Sequence, residues 1–158
     1  MNTRITSLAS LLRYGEIYID SNGNLLPTSS SATVTVPFNI PATHKNQCNA
    51  NISASWANVN TDIPGDINRL QAYSLQETGM PLTTAMYGKN VRKYISTNDY
   101  VLDYLARTPG MQAEFIKDNT IPQGLFGMLW VPAWTASYTK DDDTKVSLWP
   151  ANAVTFLP

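Results

Sequence analysis

The stretch SASWANVNTDIPGDINRLQAYSLQETGMPLTTAMYG, residues 53–88, gathers a tryptophan, three carboxylates, a Pro-Gly step and a Thr-Gly-Met-Pro break. It reads either as an acidic site for a metal or substrate, or as a helix delivered to a strand. Local chemistry decides for the helix. Asp62 is a good N-cap, Pro64 is tolerated in a first turn where its missing N–H has no intrahelical partner, and Asp66 sits where the helix dipole favours an anion. Ile67, Leu70, Tyr73 or Ser74, and Leu75 then follow helical spacing up to Thr78, and Gly79 with Pro81 forms a stop. Residues 82–87 read as a buried strand.

Working towards the N-terminus, the segment LLPTSSSATVTVPFNIPATHKNQCNANIS, residues 25–53, is rich in Ser, Thr, Asn and Pro. The run TVTVP, 33–37, has strong β character, but Pro27, Pro37 and Pro41 remove ladder donors, so it is expected as an edge strand or loop. EIYIDSNGN, 16–24, alternates into the turn dipeptide Asn22-Gly23 and predicts a strand and hairpin turn. Residues 6–14 place Leu8, Leu11 and Leu12 on a helical stripe that Gly15 ends.

Towards the C-terminus, a helix beginning at residues 88–90 carries Val91, Tyr94 and Ile95 and ends near Thr97-Asn98. A further helix carries Val101, Leu102 and Leu105 up to a break at Pro109-Gly110, and a short amphipathic piece follows. LFGMLWV, 125–131, reads as an apolar strand. SYTKDDDTKVSLW reads as a hairpin with Asp141, Asp142 and Asp143 at its tip, and residues 153–157 as a last strand. No internal repeat or separating linker is evident, so 158 residues are expected as one domain, with extended and helical pieces over 1–52 and a core over 53–158.

A net charge of −1 gives no basic field for nucleic acid. Charged residues make up 15% of the chain, against about 25% in ordinary soluble domains, which suggests exterior surface buried elsewhere. One cysteine, Cys48, excludes an internal disulfide. No signal peptide and no run of about 18 apolar residues is evident, so an intracellular, soluble protein is expected.

The candidates for chemistry are sparse. The Asp141–Asp143 run lacks the glycine and terminal glutamate of a calcium loop and reads as a solvated hairpin tip. Asp62 and Asp66 are explained by capping rather than acid–base work. His44 and Cys48 lie four apart in a loop with no second ligand pair. No phosphate loop or nucleophile elbow is present, so no cofactor or metal is expected. Trp56 and Trp130 read as core, while Trp134 and Trp149, each beside Pro-Ala, divide evenly between core and surface anchors at a protein contact.

The order of these features, from LLRYGEIYID through WANVNTDIPGDINRLQAYSLQETGMPLTTAMYGKNVRKYISTN and IPQGLFGMLWVPAWTASYT to SLWPANAVTFLP, resembles the major capsid proteins of tailed bacteriophages. The lambda-like major capsid protein E family, with the HK97-type fold, is the nearest pattern. Trp56 with Asn58, Asp66-Ile67, Thr78-Gly79, Gly88, Val91 and Asn98 match its motifs in order, as do Gly127 and the ending Pro150, Asn152, Val154 and Pro158. The match is good over the later part of the chain and loose over its first third.

The resemblance implies an α+β axial domain, a central mixed sheet flanked by helices, with a partial peripheral element at the N-terminus. It places residues 67–131 in the wedge that converges around the five-fold and six-fold axes of a shell, with 98–122 nearest those axes. Asn98, Asp99, Tyr100, Arg107 and Pro109 are the expected subunit contacts, with Trp134 as an aromatic anchor. The full-length parent would form homo-oligomeric capsid hexamers and pentamers, with a scaffold or decoration protein as possible partner. It would assemble in the host cytoplasm and reside in the virion capsid, without sequence-specific nucleic-acid binding, membrane contact or catalysis. A complete family member is longer, with an N-terminal arm, an extended loop, a long spine helix and a closing peripheral domain. Here the spine helix is matched at most by residues 6–14, and an excised piece or a shortened prophage relic is expected. The alternatives are a tail or head-tail connector protein, for which a barrel or sandwich is expected, and a metal-assisted hydrolase using Asp62, Asp66 and residues 141–143.

Overall fold

Parallel pairing of two strands needs a long crossover between them, and in this chain that crossover is built from helices. A computed structural model describes residues 10–11, 14–26, 28–39, 52–117, 120–133, 137–139, 143, 145–147 and 149–158. The fold is α+β, and the chain divides into two compact units, residues 1–47 with 134–149, and residues 48–133 with 150–158.

In the first unit the expected helix is seen at Ser10, Leu11 and Tyr14, the rest of 6–14 lying outside the described residues. Gly15 ends it at φ 66°, its N–H donating to the Leu11 carbonyl at 2.8 Å. Strand β1 (Glu16–Ile19) pairs antiparallel with β2 (Leu25–Leu26) and β3 (Val34–Pro37), in the order β2-β1-β3. The predicted turn is held by Asp20, whose Oδ1 accepts the backbone N–H of Asn22 and of Asn24, each at 2.8 Å. As expected of TVTVP, β3 is an edge strand, and all four of its residues are exposed.

The expected hairpin is present as β6 (Ser137–Thr139) against β7 (Lys145–Ser147), antiparallel, and it belongs to this first unit rather than to the 53–158 core. Asp143, at the hairpin tip, is exposed, while Asp141 and Asp142 lie outside the described residues, as do His44, Cys48 and Trp134. Trp149 is 4% exposed, which resolves its reading in favour of burial.

The second unit follows the opening stretch. Helix α1 (Ile63–Thr78) starts where Asp62 Oδ1 accepts the Gly65 N–H at 2.9 Å and stops at Gly79. Ile63, Ile67 and Leu70 point into the core, whereas Leu75, expected on the same stripe, is 50% exposed. Next come β4 (Thr84–Tyr87), α2 (Val91–Ser96), α3 (Asp99–Ala106) and α4 (Pro109–Lys117). Pro109 does not break the chain between helices as expected. It opens α4, a position where a missing N–H removes no helical bond.

Strands β5 (Leu129–Pro132) and β8 (Val154–Leu157) flank β4, giving the order β5-β4-β8 with β5 parallel and β8 antiparallel to the centre. The apolar run 125–131 is only partly strand. Residues 125–127 form a 3-10 turn, with Gly124 at φ 85°, Phe126 at φ 56° and Gly127 at φ 74°. Positive φ is open to glycine, and two glycines around one strained residue turn the chain before β5 can begin.

Register explains the core. Ala85 on β4 lies between Trp130 on β5 and Phe156 on β8, and its small side chain leaves room for their rings, which meet edge-on at 6.5 Å. Tyr87 meets Trp130 edge-on at 6.2 Å, and Trp56 meets Phe156 at 6.2 Å. Ile63, Ile67, Val91, Ile95, Val101 and Leu105 close over the ring cluster from the helices. Such edge-on pairs contribute about 0.5–1.5 kcal/mol each beyond the area they bury.

Burial in this cluster pushes the Tyr87 phenol above its ordinary pKa of about 10, while the Ile121 N–H and the Arg92 charge pull it down. Phenolate is therefore disfavoured in the folded state. The stability this confers is complete below the unfolded value and is lost as pH rises through the raised folded value. A near-ultraviolet difference titration is expected to show Tyr87 among the tyrosines that ionise late, with Tyr73, which burial and the Glu77 charge also push up. A Tyr87→Phe variant is expected to lose one tyrosine's share of that late phase.

Candidate functional site

Helix α3 begins at Asn98, whose side chain uses both halves of its amide. Oδ1 accepts the Val101 N–H at 3.1 Å and caps the helix, and Nδ2 donates to the carbonyls of Val59 at 2.9 Å and Thr61 at 2.8 Å. The Asp99 N–H donates to the same Val59 carbonyl at 3.0 Å. Asn98 is fully buried, so its expected place as a direct subunit contact is corrected. A buried amide with every polar atom engaged holds chain segments together and offers nothing to a partner.

From that cap, α3 buries Val101 and Leu105, which lie one turn apart on a single seam. Tyr100 and Tyr104 flank the seam on one side and Leu102 on the other, and they are 50%, 37% and 45% exposed. Leu102 was expected on the buried stripe, and it points outward because α3 has core on one side only. Asp103 and Arg107 occupy the face opposite the seam and are joined at 2.7 Å. An exposed i,i+4 pair of this kind contributes about 0.3–0.5 kcal/mol.

Tyr104 leans against Phe126, with ring centroids 5.0 Å apart, so the Gly124–Gly127 turn extends the aromatic surface of the helix. Asp99, Tyr100, Arg107 and Pro109 are exposed as expected. Leu102, Tyr104 and Phe126 were missed as members of this surface. The available signal was the glycine pair at 124 and 127, which marks a turn, and the apolar residues of α3 in excess of one stripe.

The acidic candidates separate. Asp62 caps α1 through Gly65. Asp66 sits in the first turn of α1, as read from the sequence, and it has a further role there. It is fully buried, accepts the Ser53 N–H at 2.8 Å and the Trp56 indole N–H at 2.9 Å, and pairs with Arg69. With its oxygens committed, Asp66 has no free base to offer. Among the described residues no group of three His, Cys, Asp or Glu side chains is placed to hold a metal ion.

A cleft of about 480 Å³ lies beside Trp56, Val91, Tyr94, Val154 and Phe156. At this cleft Asn152 Oδ1 accepts from both Asn90 Nδ2 at 2.7 Å and the Tyr94 hydroxyl at 3.0 Å. Among the described residues lining it there is no carboxylate, imidazole or thiol, and so no nucleophile with a neighbouring base of the kind covalent catalysis uses. Among the described residues no helix is long and apolar enough to cross a membrane. No protein-family model matches the chain, and no curated protein matches it either.

Proposed function

We propose that this chain is a structural assembly protein, the axial-domain portion of an HK97-type major capsid protein from a phage or prophage head. Its work is to make symmetric contacts with copies of itself in an icosahedral shell. The observation that carries the reading is the outward face of α3, where Tyr100, Leu102 and Tyr104 stand in water on both sides of the buried seam. A helix that is apolar well beyond one stripe is normally covered on more than one side. Tyrosine and arginine are enriched at protein interfaces, and Tyr100 and Tyr104 share this helix with Arg107, which is paired with Asp103.

The order of motifs that resembles the lambda-like family supports the same reading, as does the mixed three-stranded sheet with its helices in the second unit. The 15% charge content agrees with an exterior largely covered by neighbours. On this reading the chemistry is association, with no catalytic residue and no cofactor. The protein assembles in the host cytoplasm and ends in the virion.

The test is sedimentation and electron microscopy of the protein expressed from its complete source gene. Rings or shells are expected. Tyr100→Lys and Leu102→Glu are each expected to leave monomers, while the melting temperature stays that of the parent, because exposed substitutions shift stability by about 0.5 kcal/mol or less. Shells that form normally with both changes in place would end the claim for this face. A parent that never assembles would end the capsid reading.

A further inference from the structure

We infer that Asp66 and Asn98 act together as positioning residues, clamping the segment between residues 53 and 61 at its two ends and so fixing how α3 presents its outward face. The inference rests on the assembly reading only for the use of that face. The clamp itself is a property of the fold.

The geometry is continuous. Asp66 on α1 takes the Ser53 N–H and the Trp56 indole N–H, which anchors the beginning of the segment. Within the segment, the Thr61 hydroxyl donates to the Ser55 carbonyl at 2.8 Å and closes it into a compact loop. At its far end, the carbonyls of Val59 and Thr61 receive both amide hydrogens of Asn98. Both clamp side chains are fully buried. A buried polar group whose partner is displaced is left unsatisfied at full desolvation cost, so each end resists slipping. Asp66 spends its hydrogen bonds on Ser53, Trp56 and Arg69, none of them on α3, and so holds the loop whose carbonyls hold the α3 cap.

Capping and clamping can be separated chemically. Aspartate caps a helix as well as asparagine does, but its carboxylate has no N–H to donate. Asn98→Asp therefore keeps the α3 cap, removes both bonds to the loop and faces an anion towards two carbonyl oxygens. At the other end, Trp56→Phe removes a single donor to Asp66 and preserves an aromatic ring, and Asp66→Asn removes the charge at nearly constant shape.

Hydrogen exchange on the 158-residue protein, followed by mass spectrometry, tests the clamp without requiring assembly. Asn98→Asp is expected to speed exchange in 53–61 by about tenfold, the effect of losing a net 1–2 kcal/mol of hydrogen bonding. A residue that only capped α3 would not move that segment. Asp66→Asn is expected to speed exchange in α3 as well as in 53–61, while β4 and β5 stay protected. If Asp66→Asn loosens the whole unit, Trp56→Phe carries the same comparison in milder form. Acceleration in α3 from either change at the Asp66 end supports the clamp. Acceleration confined to 53–61 overturns it, whatever the assembly experiments give. Shells that form unaltered from an Asn98→Asp parent whose α3 has loosened would instead count against the face, leaving the clamp intact.

Discussion

Gly88→Ala is expected to prevent the second unit from folding stably. A Cβ built at Gly88 would lie 2.0 Å from the Pro150 carbonyl oxygen and 2.6 Å from that of Ala151, distances at which something must move. The obstacle is backbone, and it is backbone already in use. The Gly88 N–H donates to the Ala153 carbonyl at 2.8 Å, and the Asn90 N–H donates to the Ala151 carbonyl at 2.8 Å. Relieving the clash would pull residues 150–153 away and unzip the β4–β8 ladder from its Tyr87–Val154 end. Overpacking a core with one methyl costs about 1–3 kcal/mol when side chains can adjust, and a clash with fixed backbone belongs at or above the top of that range. Thermal and urea unfolding followed by circular dichroism would measure it. A melting temperature within a few degrees of the parent would mean that the 150–153 turn is far more compliant than its bonds imply.

Trp130→Ala is expected to cost about 3–5 kcal/mol, the range for truncating a large buried aromatic. Trp130 is 1% exposed, meets Tyr87 and Phe156 edge-on, and donates its indole N–H to the Leu125 carbonyl at 2.8 Å. The loss has two parts. The cavity lies beside Ala85, which is too small to fill it, and the Leu125 carbonyl loses the shorter of its two hydrogen bonds, keeping only the Met128 N–H at 3.3 Å. Trp130→Phe separates them by restoring most of the volume and none of the indole hydrogen bond, and about 1–3 kcal/mol of loss is expected from that lost bond and the imperfect fit. Chemical denaturation of the two variants gives the difference. Equal losses would show that the hydrogen bond outweighs the packing.

Where a structural element is fixed by its own residues, it was legible in the sequence. Asp62 and Pro64 start α1 and Gly79 stops it; Asn22-Gly23 and Asp20 make the β1–β2 turn; the prolines keep β3 at an edge. Each of these depends on chemistry within four or five residues. The misreadings share a different cause. Asp66 stands in the first turn of α1 as read, but its role as an acceptor went unread, because Trp56 and Ser53 fold back over α1 and nothing in the helix itself announces that. Asn98 looked like a helix end available to a neighbour, and only its distance in space to Val59 and Thr61 makes it an internal tie. In LFGMLWV an apolar run cannot by itself distinguish turn from strand, so the three-residue 3-10 turn was hidden inside it. Leu102 and Leu75 fit a stripe whose width was overestimated, since the period gives the direction of a helix's buried face and the neighbouring elements give its breadth.

The pairing of β4 sets a timetable for synthesis. Ala85 lies between Trp130 and Phe156, both of which leave the ribosome after it. At about 5–20 residues per second, β4 waits on the order of ten seconds for its second neighbour. During that interval α1 to α3 can form from local contacts, while one backbone edge of a largely apolar strand stays open until β5 is made and the other until β8 is made. A polysome carrying many copies holds many such strands side by side. For this protein, then, the period of greatest exposure to mispairing comes before the chain is finished, and slowing translation would lengthen it.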